Sequence, residues 1–217
     1  MAPNPPRMAC QIPFAIAAAL AVFALAPGSL AADDGRGEEL YGLCTQCHGA
    51  GGAGDPLALA PAIAGFEEWY VTAQLQAFKQ GLRGTHPDDL GGLRMYPMSL
   101  ALKTDEDIQA VAKYVAGLPT ARPATTIEGD AAAGATYYAT CAACHGADGA
   151  GNRAMNAPRL VGTSDWYLVE ALRKYKAGIR GGNPANTNAV MMRGMALSLK
   201  DDQAIRDVVA HVLTLAQ

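Results

Sequence analysis

Cys44-Thr45-Gln46-Cys47-His48 recurs later in the chain as Cys141-Ala142-Ala143-Cys144-His145. C-x-x-C-H is the attachment sequence for a covalently bound c-type haem. Two thiols one helical turn apart can each add to one vinyl group of the porphyrin. The adjacent histidine then lies under the iron and supplies its proximal ligand. A lone motif of this kind could be half a zinc site or a redox pair. Zinc wants four N/S ligands closing one tetrahedron, whereas here two complete motifs stand apart. The expected cofactors are therefore two haem c groups, bound through Cys44 and Cys47 in one place and Cys141 and Cys144 in the other. His48 and His145 are the expected proximal ligands.

The register between the motifs extends outward from them. At a constant offset of 97 residues, Pro61 aligns with Pro158, Trp69-Tyr70 with Trp166-Tyr167, Gly81 with Gly178 and Arg83-Gly84 with Arg180-Gly181. Met95, Met98, Leu100 and Ile108 align with Met192, Met195, Leu197 and Ile205. A repeat this long, present twice, is a duplicated domain and not a solenoid. The expected division is a leader at 1–31, a first domain at 32–119, a linker at 120–128 and a second domain at 129–217. The prolines and threonines around the junction, such as Pro119, Pro123, Thr125 and Thr126, read as extended chain.

Both halves read as helical, so the expected class is all-α. Val71, Leu75 and Phe78 are spaced i, i+4, i+7, and Leu168, Leu172 and Tyr175 repeat the pattern, giving one apolar helix face in each half. Gly81 and Gly178 then stop these helices. Ile108, Val111 and Val115 mark a last helix in the first half, and Ile205, Val208 and Val212 one in the second. Thr104 and Asp201 stand at the N-cap positions. Aromatic residues are only 6% of the chain, so two domains of under 100 residues would have thin cores. A large prosthetic group helps to fill them.

The N-terminus reads as a secretory leader. Arg7 precedes an apolar run from Phe14 to Ala26, and small residues at Ser29 and Ala31 place cleavage after Ala31. The run is shorter than the ~20 residues needed to span a bilayer. Cys10 leaves with the leader. The expected location is the periplasm.

Each iron needs a second axial ligand. His86 and His211 are not repeated, because Asn183 and Tyr114 stand opposite them, so both read as surface or packing residues. Methionine does repeat, as Met95-Tyr96-Pro97-Met98 and Met192-Arg193-Gly194-Met195. His/Met ligation is the arrangement of electron-transfer cytochromes.

Over nearly all of the chain beyond the leader, the sequence resembles the cytochrome c4 family, which carries two class I cytochrome c domains in tandem. The resemblance rests on the paired C-x-x-C-H-G motifs, Pro61-Ala62-Ile63 and Pro158-Arg159-Leu160, the Trp-Tyr pairs, Gly81-Leu82-Arg83 and Gly178-Ile179-Arg180, and the methionine pairs. It implies that Met95 and Met192 ligate the irons, with Met98, Met195 and Met191 as alternatives. It implies that the Pro61 and Pro158 carbonyls accept a hydrogen bond from the proximal histidines, and that Trp69, Tyr70, Trp166 and Tyr167 pack near haem edges or propionates. The implied arrangement is a pseudo-twofold pair of domains with propionates facing the interface.

The function this implies is single-electron shuttling by a monomeric carrier that is not an enzyme. Its partners would be redox proteins: a quinol–cytochrome c oxidoreductase and a terminal oxidase, or a flavoprotein dehydrogenase. Peripheral membrane association fits this setting and nucleic acid does not. The alternative is a cytochrome subunit of a dehydrogenase such as flavocytochrome c sulfide dehydrogenase. An enzyme such as a dihaem peroxidase would need an exchangeable iron position, and thiosulfate dehydrogenases use a cysteine ligand. Neither feature is visible. Charge divides unevenly, with 6 Lys+Arg against 12 Asp+Glu in residues 32–119, and 10 against 8 in residues 120–217. That split suggests a dipole, with Arg173, Lys174 and Lys176 as a basic face for one partner.

Overall fold

The computed structural model describes residues 1–4 and 35–215. The expected leader falls outside the described residues beyond position 4, including Cys10, Ser29 and Ala31. Residues from Gly35 onward belong to one compact unit, Asp33–Gln217, separate from Met1–Ala32. Both C-x-x-C-H motifs lie in Asp33–Gln217.

That unit is helical, and its elements appear twice. The first half holds α1 (Arg36–Tyr41), α2 (Thr45–His48), α3 (Glu68–Lys79), α4 (Leu90–Ala101) and α5 (Asp105–Gly117). The second half holds α6 (Ala131–His145), α7 (Asp165–Lys176), α8 (Thr187–Ala196) and α9 (Asp202–Leu215), with a short 3-10 turn at Arg153–Met155. Among the described residues there is no strand. Two isolated antiparallel bridges, Asp55 with Ala60 and Asn152 with Ala157, keep the same register as the motifs.

Local chemistry sets the helix ends. Thr104 Oγ1 accepts a hydrogen bond from Asp107 N, and the Asp107 carboxylate accepts one from Thr104 N, a capping box. Asp201 accepts from Ala204 N at 2.8 Å. Gly81 and Gly178 take φ of +67° and +78°, a conformation that costs glycine nothing and stops α3 and α7. Helices α5 and α9 bury Ile108, Val111, Val115 and Ile205, Val208, Val212. Val71 and Leu75 of α3 pack onto the first cluster, and Leu168 and Leu172 of α7 onto the second.

The first helix of each half crosses the last one at a glycine. A Cβ at Gly37 would collide with the Ala110 carbonyl, and one at Gly134 with the Asp207 carbonyl. In the second half α6 runs unbroken from Ala131 to His145, whereas the first half divides it between α1 and α2. Gly42 caps α1 where Ala139 continues α6. Glycine is about 1 kcal/mol less favourable than alanine inside a helix.

The halves meet through residues that are equivalents of one another, as a pseudo-twofold requires. Tyr70 and Tyr167 lie together with Arg83 and Arg180. Arg83 Nη2 donates to the Tyr167 hydroxyl at 2.8 Å. Other contacts break the symmetry. Ala62 N donates to Ser164 Oγ at 3.0 Å, and Arg159 Nη2 donates to the Ala64 carbonyl at 2.8 Å. Arg159 also lies over the Phe66 ring and Arg153 over the Trp69 ring. Lys174 Nζ reaches Asp89 Oδ1 at 2.9 Å in a largely buried ion pair.

The connecting segment is irregular, but it is not a loose spacer. The buried Asp165 carboxylate accepts hydrogen bonds from Thr126 N, Thr126 Oγ1 and Ile127 N. Ala121 is buried against Ala62 and Ala64. The basic face expected on α7 is likewise committed internally. Arg173 pairs with Asp202 and Glu170, Lys174 pairs with Asp89, and Lys176 donates to the Leu199 carbonyl.

Candidate haem sites

The geometry around each C-x-x-C-H begins at the histidine. His48 Nδ1 lies 2.8 Å from the Pro61 carbonyl, and His145 Nδ1 lies 2.8 Å from the Pro158 carbonyl. A carbonyl can only accept, so Nδ1 carries the proton and Nε2 keeps its lone pair. Burial lowers both imidazole pKa values, with only partial opposition from the proline carbonyl. Both rings are therefore neutral at neutral pH and fixed in the tautomer that can ligate through Nε2. The repeat also fixes the residue after each histidine. Tyr41 donates to the Gly49 carbonyl at 2.8 Å, and Tyr138 to the Gly146 carbonyl at 2.7 Å.

No disulfide joins the four cysteines of the motifs. Burial, reinforced by the neighbouring Cys47, pushes the Cys44 thiol up to about 11. Burial also raises the Cys141 thiol. Burial thus favours the neutral thiol at Cys44 and Cys141 over the low-pKa thiolate of a redox pair. Among the described residues, no group of three or more His, Cys, Asp or Glu could hold a metal ion.

In the second half the expected residues share one cavity. Cys141, Cys144, His145 and Met192 all line it, in a space of about 380 Å³. Met195 and Met191 also line it, although Met191 is 55% exposed. In the first half, Met95 is half-buried on the inner face of α4, between buried Gly92 and Ser99, while Met98 is exposed. The methionines ride on α4 and α8, helices that the sequence pattern did not announce. Asp89 caps α4 through Gly92 N, and Asn186 caps α8 through Ala189 N.

The two uncommitted histidines lie as expected. His86 is exposed beside Asp88, and His211 packs on the Tyr138 ring. Three of the four Trp-Tyr residues, Trp69, Tyr70 and Tyr167, line the cavity. Trp166 instead faces a separate cleft under the connecting segment. The cavity thus reaches across the interface into the first half.

Sequence reasoning missed the charge at that interface. Burial would raise the Tyr167 phenol, but Arg83 and Arg180 beside it outweigh burial and bring it down to about 8. The equivalent Tyr70 is pushed up, mainly by burial. Arg83 Nε is buried without a hydrogen-bond partner among the described residues. Two guanidiniums at the cavity wall, one with an orphaned N–H, form a donor set for carboxylates. Haem carries two carboxylates, an apolar macrocycle for the cavity and an iron for the neutral imidazole. The residues present fit the group. The signal for the arginines was in the repeat itself, where Arg83 and Arg180 align without an obvious partner.

Comparisons with known proteins find relatives along both halves of the chain. The cytochrome c family profile matches residues 35–119 and again 131–216. The thiosulfate dehydrogenase electron acceptor of Thiomonas intermedia is 34% identical over 200 residues, covering 87% of this chain and 84% of that one. A cytochrome c4 from Thiocapsa roseopersicina is 31% identical, covering 81% and 88%. The crystal structure of reduced cytochrome c4 from Pseudomonas stutzeri superposes with a TM-score of 0.64 at 26% identity, covering 81% of this chain and 95% of that one.

Proposed function

We propose, for a chain that belongs to the cytochrome c family and carries two of its domains in tandem, a full assignment of the residues that serve its electron-carrier role. The chain carries two covalently bound haem c groups and is a dihaem electron carrier of the cytochrome c4 kind, not an enzyme. When bound, these groups supply one-electron chemistry at iron. Cys44 and Cys47 hold the first group, and Cys141 and Cys144 the second. His48 with Met95, and His145 with Met192, are the axial ligands.

One observation carries this assignment. Each proximal histidine is locked in one tautomer by a proline carbonyl at the same 2.8 Å, and the repeat sets a methionine on the inner side of a facing helix. The exposure of Met98 and Met191 argues for Met95 and Met192. Met195 shares the second cavity, and substitution separates it from Met192. The protein's own part is to fix the imidazole, to keep water from the cavity and to place paired guanidiniums where carboxylates belong.

Its partners are redox proteins. The donor proposed here is a thiosulfate-oxidising dehydrogenase, on the strength of the relative from Thiomonas intermedia, and the acceptor is a terminal oxidase. A quinol–cytochrome c oxidoreductase or a flavoprotein dehydrogenase is the competing donor. We assign the leader to residues 1–31 and the domains to 32–119 and 129–217, with export to the periplasm. No helix among the described residues is long and apolar enough to cross a membrane. A pyridine haemochrome assay should count two covalent haems per chain. Cys44→Ala with Cys47→Ala, and separately Cys141→Ala with Cys144→Ala, should each leave one. Two haems remaining in either variant contradicts the assignment.

A further inference from the structure

The duplication supplies an internal control, because a surface feature present in one half and absent from the other owes nothing to the shared fold. Helix α4 shows such a feature in part: Val190 and Leu197 of α8 are exposed and apolar at the positions of Leu93 and Leu100, but Leu57, Leu59 and Leu90 have no large apolar counterpart in the second half. The inner face of α4 carries Gly92, Met95 and Ser99. The residues on the other side, at positions 90, 93, 97 and 100, follow helical spacing and are all exposed and apolar: Leu90, Leu93, Pro97 and Leu100. The loop beside it adds Leu57 and Leu59. That loop is tied to the helix, for Leu59 lies against Gly91 and Arg94 donates to the Ala58 carbonyl at 2.9 Å. Leu57 is 90% exposed and Leu90 63%. The same loop reaches Pro61, whose carbonyl holds His48.

In the second half the equivalents of Leu57, Leu59 and Leu90 are Ala154, Asn156 and Thr187. The rim differs too. Exposed Asp55, Asp88, Asp105 and Glu106 flank the stripe and its loop in sequence, where the second half has Asn152, Ala185, Asp202 and Gln203, and they outnumber the exposed cations Arg94 and Lys103. A contiguous exposed apolar patch with a charged border is the form of a protein-docking surface. The acidic border disfavours an anionic lipid surface and disfavours a second copy of the same acidic patch.

We infer that the outer face of α4, together with loop 55–60, is the docking surface for a redox protein that presents an apolar patch ringed by Lys and Arg. The inference rests on the electron-carrier reading and names the kind of partner that uses the first half. Docking places the partner's electron-donating group at the wall of the first site. One electron leaves the partner, which is oxidised, and one haem of this chain takes it and is reduced.

The test uses the full holoprotein and two reductants, each mixed rapidly with it. One is mitochondrial cytochrome c, a small lysine-rich redox protein. The other is hexaammineruthenium(II), which needs no docking surface. Exchange of the unaltered protein with the basic cytochrome should be fast and should slow as salt is added. Leu57→Ser with Leu90→Ser should slow that exchange about tenfold, and Asp88→Lys with Glu106→Lys should slow it similarly and flatten its salt dependence. Val190→Ser with Leu197→Ser, in the second half, should leave it unchanged. The Ser variants should leave the hexaammineruthenium rate unchanged, and no variant should alter the weak far-red band of an iron–sulfur bond in the oxidised protein. Salt-insensitive exchange in the unaltered protein overturns the inference, as do equal effects in the two halves or no effect in either. So does a first-half variant that loses only vesicle binding or self-association, measured with phosphatidylglycerol vesicles and by sedimentation. Failure of hexaammineruthenium(II) to reduce the unaltered protein would instead defeat the electron-carrier reading.

Discussion

The proximal histidines are neutral because burial disfavours imidazolium, and their tautomer is set because proline offers only an acceptor. Asp165 is a second residue whose protonation state is structural. Burial pulls its carboxyl up, but hydrogen bonds from Thr126, Ile127 and Trp166 N outweigh burial and hold it below the usual carboxylate range. A depressed folded value stabilises the protein above the unfolded pKa of about 3.9, and that contribution fades as pH falls through the folded value. Asp165→Asn should cost about 1–3 kcal/mol at pH 7, since an amide N–H would face the donors of Thr126. Urea unfolding should show this deficit shrinking at pH 3, and an equal deficit at both pH values would refute the argument. The cysteines and histidines proposed for the sites stand out in sequence because covalent attachment demands one spacing. Asp165, Arg83 and Arg159 do not, because their partners lie far along the chain and only the fold brings them together.

At the scale of elements, capping and period carried most of the reading. Thr104 and Asp201 start α5 and α9, and Gly81 and Gly178 end α3 and α7, because each acts on its own neighbours. Helices α4 and α8 were hidden for a physical reason. Pro97 and Gly194 interrupt them, and their apolar residues point both inward and outward, so no single face stands out. The crossing of α6 over α9 was hidden too, since a glycine gives no sign of the carbonyl it admits. Gly134→Ala should destabilise the protein by about 1–3 kcal/mol, because the methyl group meets the Asp207 carbonyl. Gly117→Ala, with no neighbour near its Cβ position, should be neutral or slightly stabilising. Thermal unfolding of the two variants side by side checks this, and equal losses would contradict the crossing.

For the whole molecule, duplication was legible, but the asymmetry of the interface was not. Lys174 pairs with Asp89 across the halves, and the repeat places Ala77 and Asn186 at the equivalent positions. Lys174→Met strands a carboxylate that is almost fully buried and should cost about 3–5 kcal/mol. Asp89→Asn keeps a capping residue of the kind Asn186 provides for α8, so the double variant should recover most of that loss, as a double-mutant cycle in urea would reveal. Additive losses would mean that the pair contributes nothing across the interface.

The proposed ligands give one chain two His/Met iron sites of the same build. The most direct measurement is the weak far-red band of an iron–sulfur bond in the oxidised protein, normalised to two haems per chain. Met95→His and Met192→His should each remove about half of it, and together all of it, while Met98→His, Met191→His and Met195→His leave it in place. Loss of the band on replacing Met98, Met191 or Met195, with Met95 or Met192 dispensable, would contradict the account.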